Sequence, residues 1–267
     1  DGETTITSMS VKQIIKDTSE VHTRSSITHF HTPKPTSKSE DSLKASYNMI
    51  ASNGQVLVDI SGTGNNGTIV NCDQTFNSLD FDGVSSYVTI PDDASLDFSG
   101  NFTIDVSAVL AQDQTTTQFI RKDGTGGNYS MAIDGTGKLS LFLDDGANSL
   151  STTAVSITSQ TLLNIVYKID RTNNLAKLYL NGALASSDDI SSITGDLSND
   201  GVLYIGSRAG TSRFFNGSIQ DANIYSRALT LAEIQAKYNA SIETVISERF
   251  EYSSDLESQR NWIGGTG

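Results

Sequence analysis

This sequence predicts an all-β fold: an antiparallel two-sheet jelly-roll sandwich with one short C-terminal helix and an extended N-terminal arm. Three observations carry that expectation. Short stretches rich in β-branched and aromatic residues recur at a spacing of roughly 8–12 residues. Gly- and Asn-rich turns separate them. Between them nothing reads as the helical crossovers that parallel strands require.

Residues 1–43 are polar and mixed in charge, and run into "HTPKPTSKSED". Prolines set among Ser, Thr and Lys mark an extended arm or linker. Within the arm, "MSVKQIIKDTSEV" fits a short helix and a strand equally well.

The body spans residues 44–240. Its strands are expected at "YVTI", "FTIDVSAVL", "TQFIRK", "YSMAID", "KLSLFLD", "LLNIVYKID", "LAKLYLNG" and "GVLYIGS", with turns at "DGTGG", "DGTGK", "DDGAN", "RTNN" and "NG". In "KLSLFLD", Leu139, Leu141 and Leu143 point one way, and Ser140 and Phe142 the other. Near the end of the body Ile219 is followed by Ala222 and Ile224, so the apolar phase slips by one residue. A β-bulge in the last strand accounts for the slip.

A helix follows. Thr230 is placed to cap it, and Glu233 to complete a capping box. Leu229 and Ile234 make a hydrophobic staple, and Leu231, Ile234 and Tyr238 an apolar stripe. A helix of about two turns carries no core of its own, so it is expected to dock by that stripe on the end of the sandwich. Residues 241–267, with Phe250, Leu256 and Trp262 among acids, read as the start of a following β domain or a linker.

Composition narrows the partners. The chain has 267 residues, 36% hydrophobic and 18% charged, with a net charge of −13. That length buries a substantial core. The acidic balance argues against nucleic acid or an anionic membrane as partner, since both repel it. Cys72 is the single cysteine, so no internal disulfide forms. No run reaches the ~18 apolar residues of a membrane span. The opening "DGETTITSMS" has no basic-then-apolar leader. Together these suggest a piece of a longer exterior polypeptide of bacterial, archaeal or viral type.

Several stretches offer ligand chemistry. In "DISGTGNNGTI", Asp59 is either a Ca²⁺ ligand helped by turn carbonyls or an acceptor that organises the turn. "IPDDASLDF" clusters Asp92, Asp93 and Asp97. "SRAGTSRFFNG" brings Arg208, Arg213 and Phe214 to one loop, and "FIRKDGTGGNYS" offers Arg121, Lys122 and Tyr129. Guanidinium groups beside aromatic rings suit a sugar or an acidic partner. His29 and His31 share one side of an extended stretch, but two imidazoles alone make an incomplete metal site.

Read in order, "YNMIASNGQVLVDISGTGNNGTI", "LDFDGVSSYVTIPDDASLDFSGNFTIDVSAVL", "KLYLNGALASS", "VLYIGSR" and "FFNGSIQDANIYSRALTLAEIQAKY" resemble the laminin G-like jelly rolls of the concanavalin A-like lectin/glucanase superfamily. The resemblance implies two antiparallel sheets with the first and last strands adjacent, and a terminal helix as an end-piece. Such domains often carry two consecutive acids on the last strand. Here the pair is Gln220 and Asp221, which leaves Asp221 as the implied metal residue beside Asp59 and Ca²⁺ as the one cofactor left open. The glucanases' clustered E-x-D-x-x-E signature has no counterpart in this sequence, and glycoside hydrolysis needs two carboxylates flanking the bond.

The expectation is therefore a non-catalytic adhesion or assembly module of a multi-domain exterior protein, either a virion tail or capsid-decorating protein or a cell-surface component. Its partners would be a glycan or surface protein and neighbouring subunits or domains of a larger assembly. The alternatives are a carbohydrate-binding module of a secreted polysaccharide-degrading enzyme and a purely structural spacer.

Overall fold

Side chains that alternate between two environments assemble this chain into two antiparallel sheets. The computed structural model describes residues 40–49, 52–53, 55–75 and 77–242. In chain order the strands are β1 (Leu43–Asn48), β2 (Ser52–Asn53), β3 (Val56–Leu57), β4 (Gly67–Val70), β5 (Asp73–Gln74), β6 (Leu79–Asp82), β7 (Tyr87–Ile90), β8 (Phe102–Leu110), β9 (Thr117–Lys122), β10 (Asn128–Ile133), β11 (Lys138–Asp144), β12 (Ser149–Ser151), β13 (Val155–Ser156), β14 (Leu162–Asp170), β15 (Leu175–Leu180), β16 (Ala183–Asp189), β17 (Leu203–Ile205) and β18 (Asn216–Tyr225). A helix, α1, covers residues 231–242.

One sheet has eight strands in the order β16-β15-β14-β8-β18-β6-β5, with β1 also on β18. The first half of β18 pairs with β6 and the second half with β1, so the first and last strands are adjacent. The other sheet has ten strands, β12-β11-β10-β9-β17-β7-β4-β3-β2, with β13 beside β11. The two inner faces merge into one core. In β11 the expected alternation holds, with Leu139, Leu141 and Leu143 buried and Ser140 and Phe142 half-buried. Phe98 and Phe102 stack at 4.6 Å, and Tyr129 leans on both at 5.6 Å. The apolar slip in the last strand is a bulge between Ile219 and Asp221, which keeps Ile219, Ala222 and Ile224 in the core.

β8 departs from simple alternation. Phe102, Ile104, Val106, Ala108 and Leu110 line the core, yet Thr103, Asp105 and Ser107 on its other face are equally buried. Something therefore covers the outer face of the eight-stranded sheet, and part of that cover is α1. Glu233 Oε2 accepts from the Thr230 amide at 2.8 Å, and the Glu233 amide donates to Thr230 Oγ1 at 3.3 Å, which is the capping box read from the sequence. Leu229 and Ile234 pack with Val166, Tyr179 and Tyr225 in a small second cluster on that outer face.

Two expectations about the helix are corrected here. It lies on the outer face of a sheet, not on the end of the sandwich. Leu231 stays 49% exposed, and the docked side is Ile234, Lys237 and Tyr238. The sequence stripe gave Leu231 a core role because it is apolar. Lys237 holds the sheet instead, by an ion pair of 2.8 Å to Asp105. His29, His31, Phe250, Leu256 and Trp262 lie outside the described residues.

Candidate binding site

The outer face of the ten-stranded sheet gathers chemistry from three separate segments. In β17, Leu203 and Ile205 enter the core and turn Tyr204 outward. Tyr204 stands opposite Arg121 of β9 on one side and Thr89 of β7 on the other. After β17 the chain reverses at Gly206, where φ is +82° and a Cβ would meet the Phe81 ring at 2.4 Å. Only glycine fits there. The loop that follows closes through the Arg208 amide, which donates to Ser212 O at 2.8 Å. The Gln118 amide donates to Arg213 O at 3.0 Å, and Thr117 Oγ1 donates to Phe214 O at 2.9 Å. These bonds pin Arg213 and Phe214 to the start of β9. The Phe214 ring then meets Tyr87 at 6.4 Å, and Tyr87 meets Tyr204 at 6.1 Å.

The structure thus brings together Arg121, Arg208, Arg213 and Phe214, four of the residues singled out in the sequence. Burial lowers the Arg213 guanidinium from its ordinary pKa, and the charges of Arg208 and Arg121 lower it further. Arg121 is held by Asp123, with Nε at 2.7 Å and Nη2 at 2.6 Å. Arg208 is exposed and Arg213 half-buried, and neither has a carboxylate partner among the described residues. Tyr87 and Tyr204 escaped the sequence reading. The signal was there, since both occupy the out-of-core phase of strands whose neighbours are Val88, Ile90, Leu203 and Ile205.

Tyr129 belongs elsewhere, and its placement at a surface site is corrected. It is fully buried on the inner face of β10, and its hydroxyl donates to Leu96 O at 3.0 Å. The strand expected at "YSMAID" forms from Asn128, and Tyr129 takes its inward phase together with Met131 and Ile133.

Asp59 sits in a loop whose donors converge on it. Oδ1 accepts from the amides of Ser46 and Ser61, each at 2.9 Å. Oδ2 accepts from Ser61 Oγ and Thr63 Oγ1 at 2.8 Å and from the Asn65 amide at 3.0 Å. Burial opposes ionisation, but these hydrogen bonds outweigh it and hold the carboxyl below its usual range. This is the bonding of a turn organiser. Asp221 stands on the outer face of the eight-stranded sheet, next to Asp105. Its pKa is pushed up to about 6, first by burial and then by the Asp105 charge. Among the described residues no three His, Cys, Asp or Glu side chains gather as a metal site would require. The acids of "IPDDASLDF" are also engaged: Asp92 and Asp97 pair with the buried Lys122 Nζ at 2.8 and 2.6 Å, and Asp93 caps the turn at Ala94–Leu96.

Residues 82–235, more than half of the chain, match the family model described as the concanavalin A-like lectin/glucanases superfamily, Laminin_G_3. The chain belongs to this superfamily. No curated protein matches it in sequence. Solved structures similar to this laminin G-like chain include the botulinum neurotoxin serotype G binding domain, with a TM-score of 0.62 at 19% identity, covering 74% of this chain and 51% of that one. The binding domain of botulinum neurotoxin DC, solved in complex with rat synaptotagmin II, gives 0.62 at 14% identity, covering 75% and 52%. Domain 4 of AbnA, an extracellular arabinanase from Geobacillus stearothermophilus solved in complex with arabinotriose, gives 0.58 at 18% identity, covering 73% and 97%. The chain spans about half the length of the toxin domains. At these identities the likeness is one of fold.

Proposed function

We propose that this laminin G-like domain is a non-catalytic recognition module of an exterior protein, and that it holds a glycan or a surface protein on the outer face of its ten-stranded sheet. The observation that carries the reading is the run of Phe214, Tyr87 and Tyr204 rings on that face, with Arg121 opposite Tyr204 and the half-buried Arg213 next to Phe214 in the chain. Convergent polar groups on a rigid sheet, next to aromatic surface, suit binding. Asp105 and Asp221 are carboxylates in proximity, but Asp105 is buried and held in an ion pair by Lys237 of α1, so the two are not a free pair flanking an open cleft. That supports a role without glycoside hydrolysis. Among the described residues no helix is long and apolar enough to cross a membrane. The parent assembly is read as a virion or cell surface.

A glycan array probed with the full chain tests the reading. Hits that weaken with Phe214→Ala are expected. Hits that ignore this change would move the site elsewhere, and an array with no hit, joined to no binding of surface protein, would leave a structural spacer. A carbohydrate-binding module of a secreted enzyme is the second reading. The arabinanase domain favours it, because nearly the whole of that domain is matched.

A further inference from the structure

Where α1 meets the eight-stranded sheet, an amine and a carboxyl stand in contact. Lys237 Nζ lies 2.8 Å from Asp105 Oδ2. Asp105 Cγ is bonded to that oxygen, so the nitrogen is held beside the carbon it would attack. Reacting atoms gain most from positioning at about 3–3.5 Å. The carboxyl is held at both oxygens. Asn164 Nδ2 donates to Oδ1 at 2.9 Å, and Asn223 Nδ2 donates to Oδ2 at 3.2 Å. The same Asn223 nitrogen donates to Asp221 Oδ1 at 3.1 Å, so a second carboxyl stands one amide away. Asp105 is buried, the Tyr225 ring centroid lies 5.2 Å from Nζ, and Leu229 and Ile234 pack with that ring. Asn164 Oδ1 is buried without a partner, so the ionic arrangement leaves this pocket incompletely satisfied. A charged pair is costly to hold out of water, whereas an amide in its place carries no charge.

From this geometry we propose that Lys237 and Asp105 join in an intramolecular isopeptide bond, with Asp221 relaying the proton, so that the domain ties α1 to β8 covalently without an enzyme. Lys237 first passes a proton to Asp105 across their 2.8 Å contact, which leaves an amine against a carboxylic acid. The Nζ lone pair attacks Cγ and the C–N bond forms. Asp221 takes a second proton from Nζ and gives it to the departing oxygen, the C–O bond breaks, and one water leaves. The ammonium has then lost two protons and the carboxylate one oxygen. Asp221 ends as it began, and nothing is oxidised or reduced. Burial and the Asp105 charge raise Asp221 to about 6, where a carboxyl both accepts and releases a proton near neutral pH. Lys237 keeps 28% exposure, which leaves the water a way out. The bond would enclose β9 to β18 and keep α1 from peeling off the sheet.

The test is the intact mass of the full chain, followed over several days at neutral pH. The expected result is a mass lower by one water, with a branched tryptic peptide that joins the segments of Asp105 and Lys237. Lys237→Arg keeps a cation beside Asp105 but offers a guanidinium that stays protonated, and should retain the full mass. Asp221→Asn should form the bond more slowly by about a hundredfold or more, the size of effect expected for a lost proton carrier. A merely structural ion pair would change no mass. An unchanged wild-type mass after that incubation would overturn the proposal. So would a loss of water that persists in Lys237→Arg, since Asp-Gly pairs such as Asp123–Gly124 lose water by closing on their own backbone. Bond formation in Asp221→Asn at the wild-type rate would overturn the relay assigned to Asp221. The ion pair itself is weighed in chain of full mass, which intact mass tells apart from the linked form.

Discussion

The two outer faces of this sandwich handle charge in opposite ways. On the eight-stranded sheet, Asp105 is 1% exposed and fully engaged. Lys237 approaches its Oδ2 at 2.8 Å, Asn223 donates to the same oxygen at 3.2 Å, and Asn164 donates to Oδ1 at 2.9 Å. On the ten-stranded sheet, Arg213 is also partly desolvated, but the charges that act on it are those of other arginines. Burying a charge is costly unless it is paired. The first face meets that condition with groups from its own chain. The second pairs Arg121 with Asp123 but gives Arg208 and Arg213 no carboxylate among the described residues, so those two charges are available to something outside it.

Removing one charge from each face should therefore have opposite consequences. Lys237→Met leaves Asp105 and Asp221 together without a cation, and should destabilise the domain by about 3 kcal/mol at neutral pH. That is the low end of what breaking a buried pair costs, because Lys237 is itself 28% exposed. Arg213→Gln should leave the denaturant midpoint unchanged or raise it, since it relieves repulsion and desolvation. Equal losses from both, measured at constant slope, would erase the distinction between the faces. Next in size is Ile234→Ala. Ile234 is fully buried but in a small satellite cluster, so a loss of about 2–3 kcal/mol is expected, the lower part of the range for such truncations.

Much of this was legible in the sequence because it is local. The alternation of "KLSLFLD", the bulge between Ile219 and Asp221, and the Thr230–Glu233 capping box all depend on residues within a turn or a strand of each other. The rest depends on pairing across the chain. Nothing near Lys237 names Asp105 as its partner, and the apolar Leu231 pointed to the wrong side of α1. Lys122 looked like a surface cation until two acids from the loop between β7 and β8 met it in the interior. Arg121 and Arg213 are far apart in sequence and meet only because residues 117–118 of β9 bond the backbone at Arg213 and Phe214. Tyr129 misled, although its own phase is that of Met131 and Ile133.

Acid should sharpen the difference between the faces. Asp221 has its pKa raised to about 6 by burial and by Asp105, against 3.8 for the ordinary carboxyl. The folded state thus holds this proton more tightly than the unfolded one. The group's contribution to stability is fully present below pH ~3.8 and is lost as pH rises through about 6. Asp221→Asn should match wild type near pH 4 and exceed it by about 1–2 kcal/mol at pH 7, a size consistent with a shift of this order. The depressed carboxyls elsewhere, Asp82 and Asp145 among them, act with the opposite sign below pH 4 and are common to both proteins. A constant offset between the two from pH 4 to pH 7 would mean that Asp221 is not the titrating group.

The smallest effects come from the solvent side of α1, and they test where the cover of the eight-stranded face ends. Thr230→Ala removes a cap whose amide and hydroxyl both meet Glu233, and should cost about 1 kcal/mol. Leu231, one residue on, is more apolar than Thr230 and on hydrophobicity alone would matter more. It is 49% exposed and stands outside the cluster of Val166, Tyr179, Tyr225, Leu229 and Ile234. Surface changes of this kind stay within about 0.5 kcal/mol, so Leu231→Ala should fall below Thr230→Ala and far below Ile234→Ala. If Leu231→Ala instead costs as much as Ile234→Ala, the helix is rotated about its axis from the orientation described. Lys237 would then leave Asp105, the outer face of the eight-stranded sheet would carry an unmet charge of its own, and the contrast between the two faces would be lost.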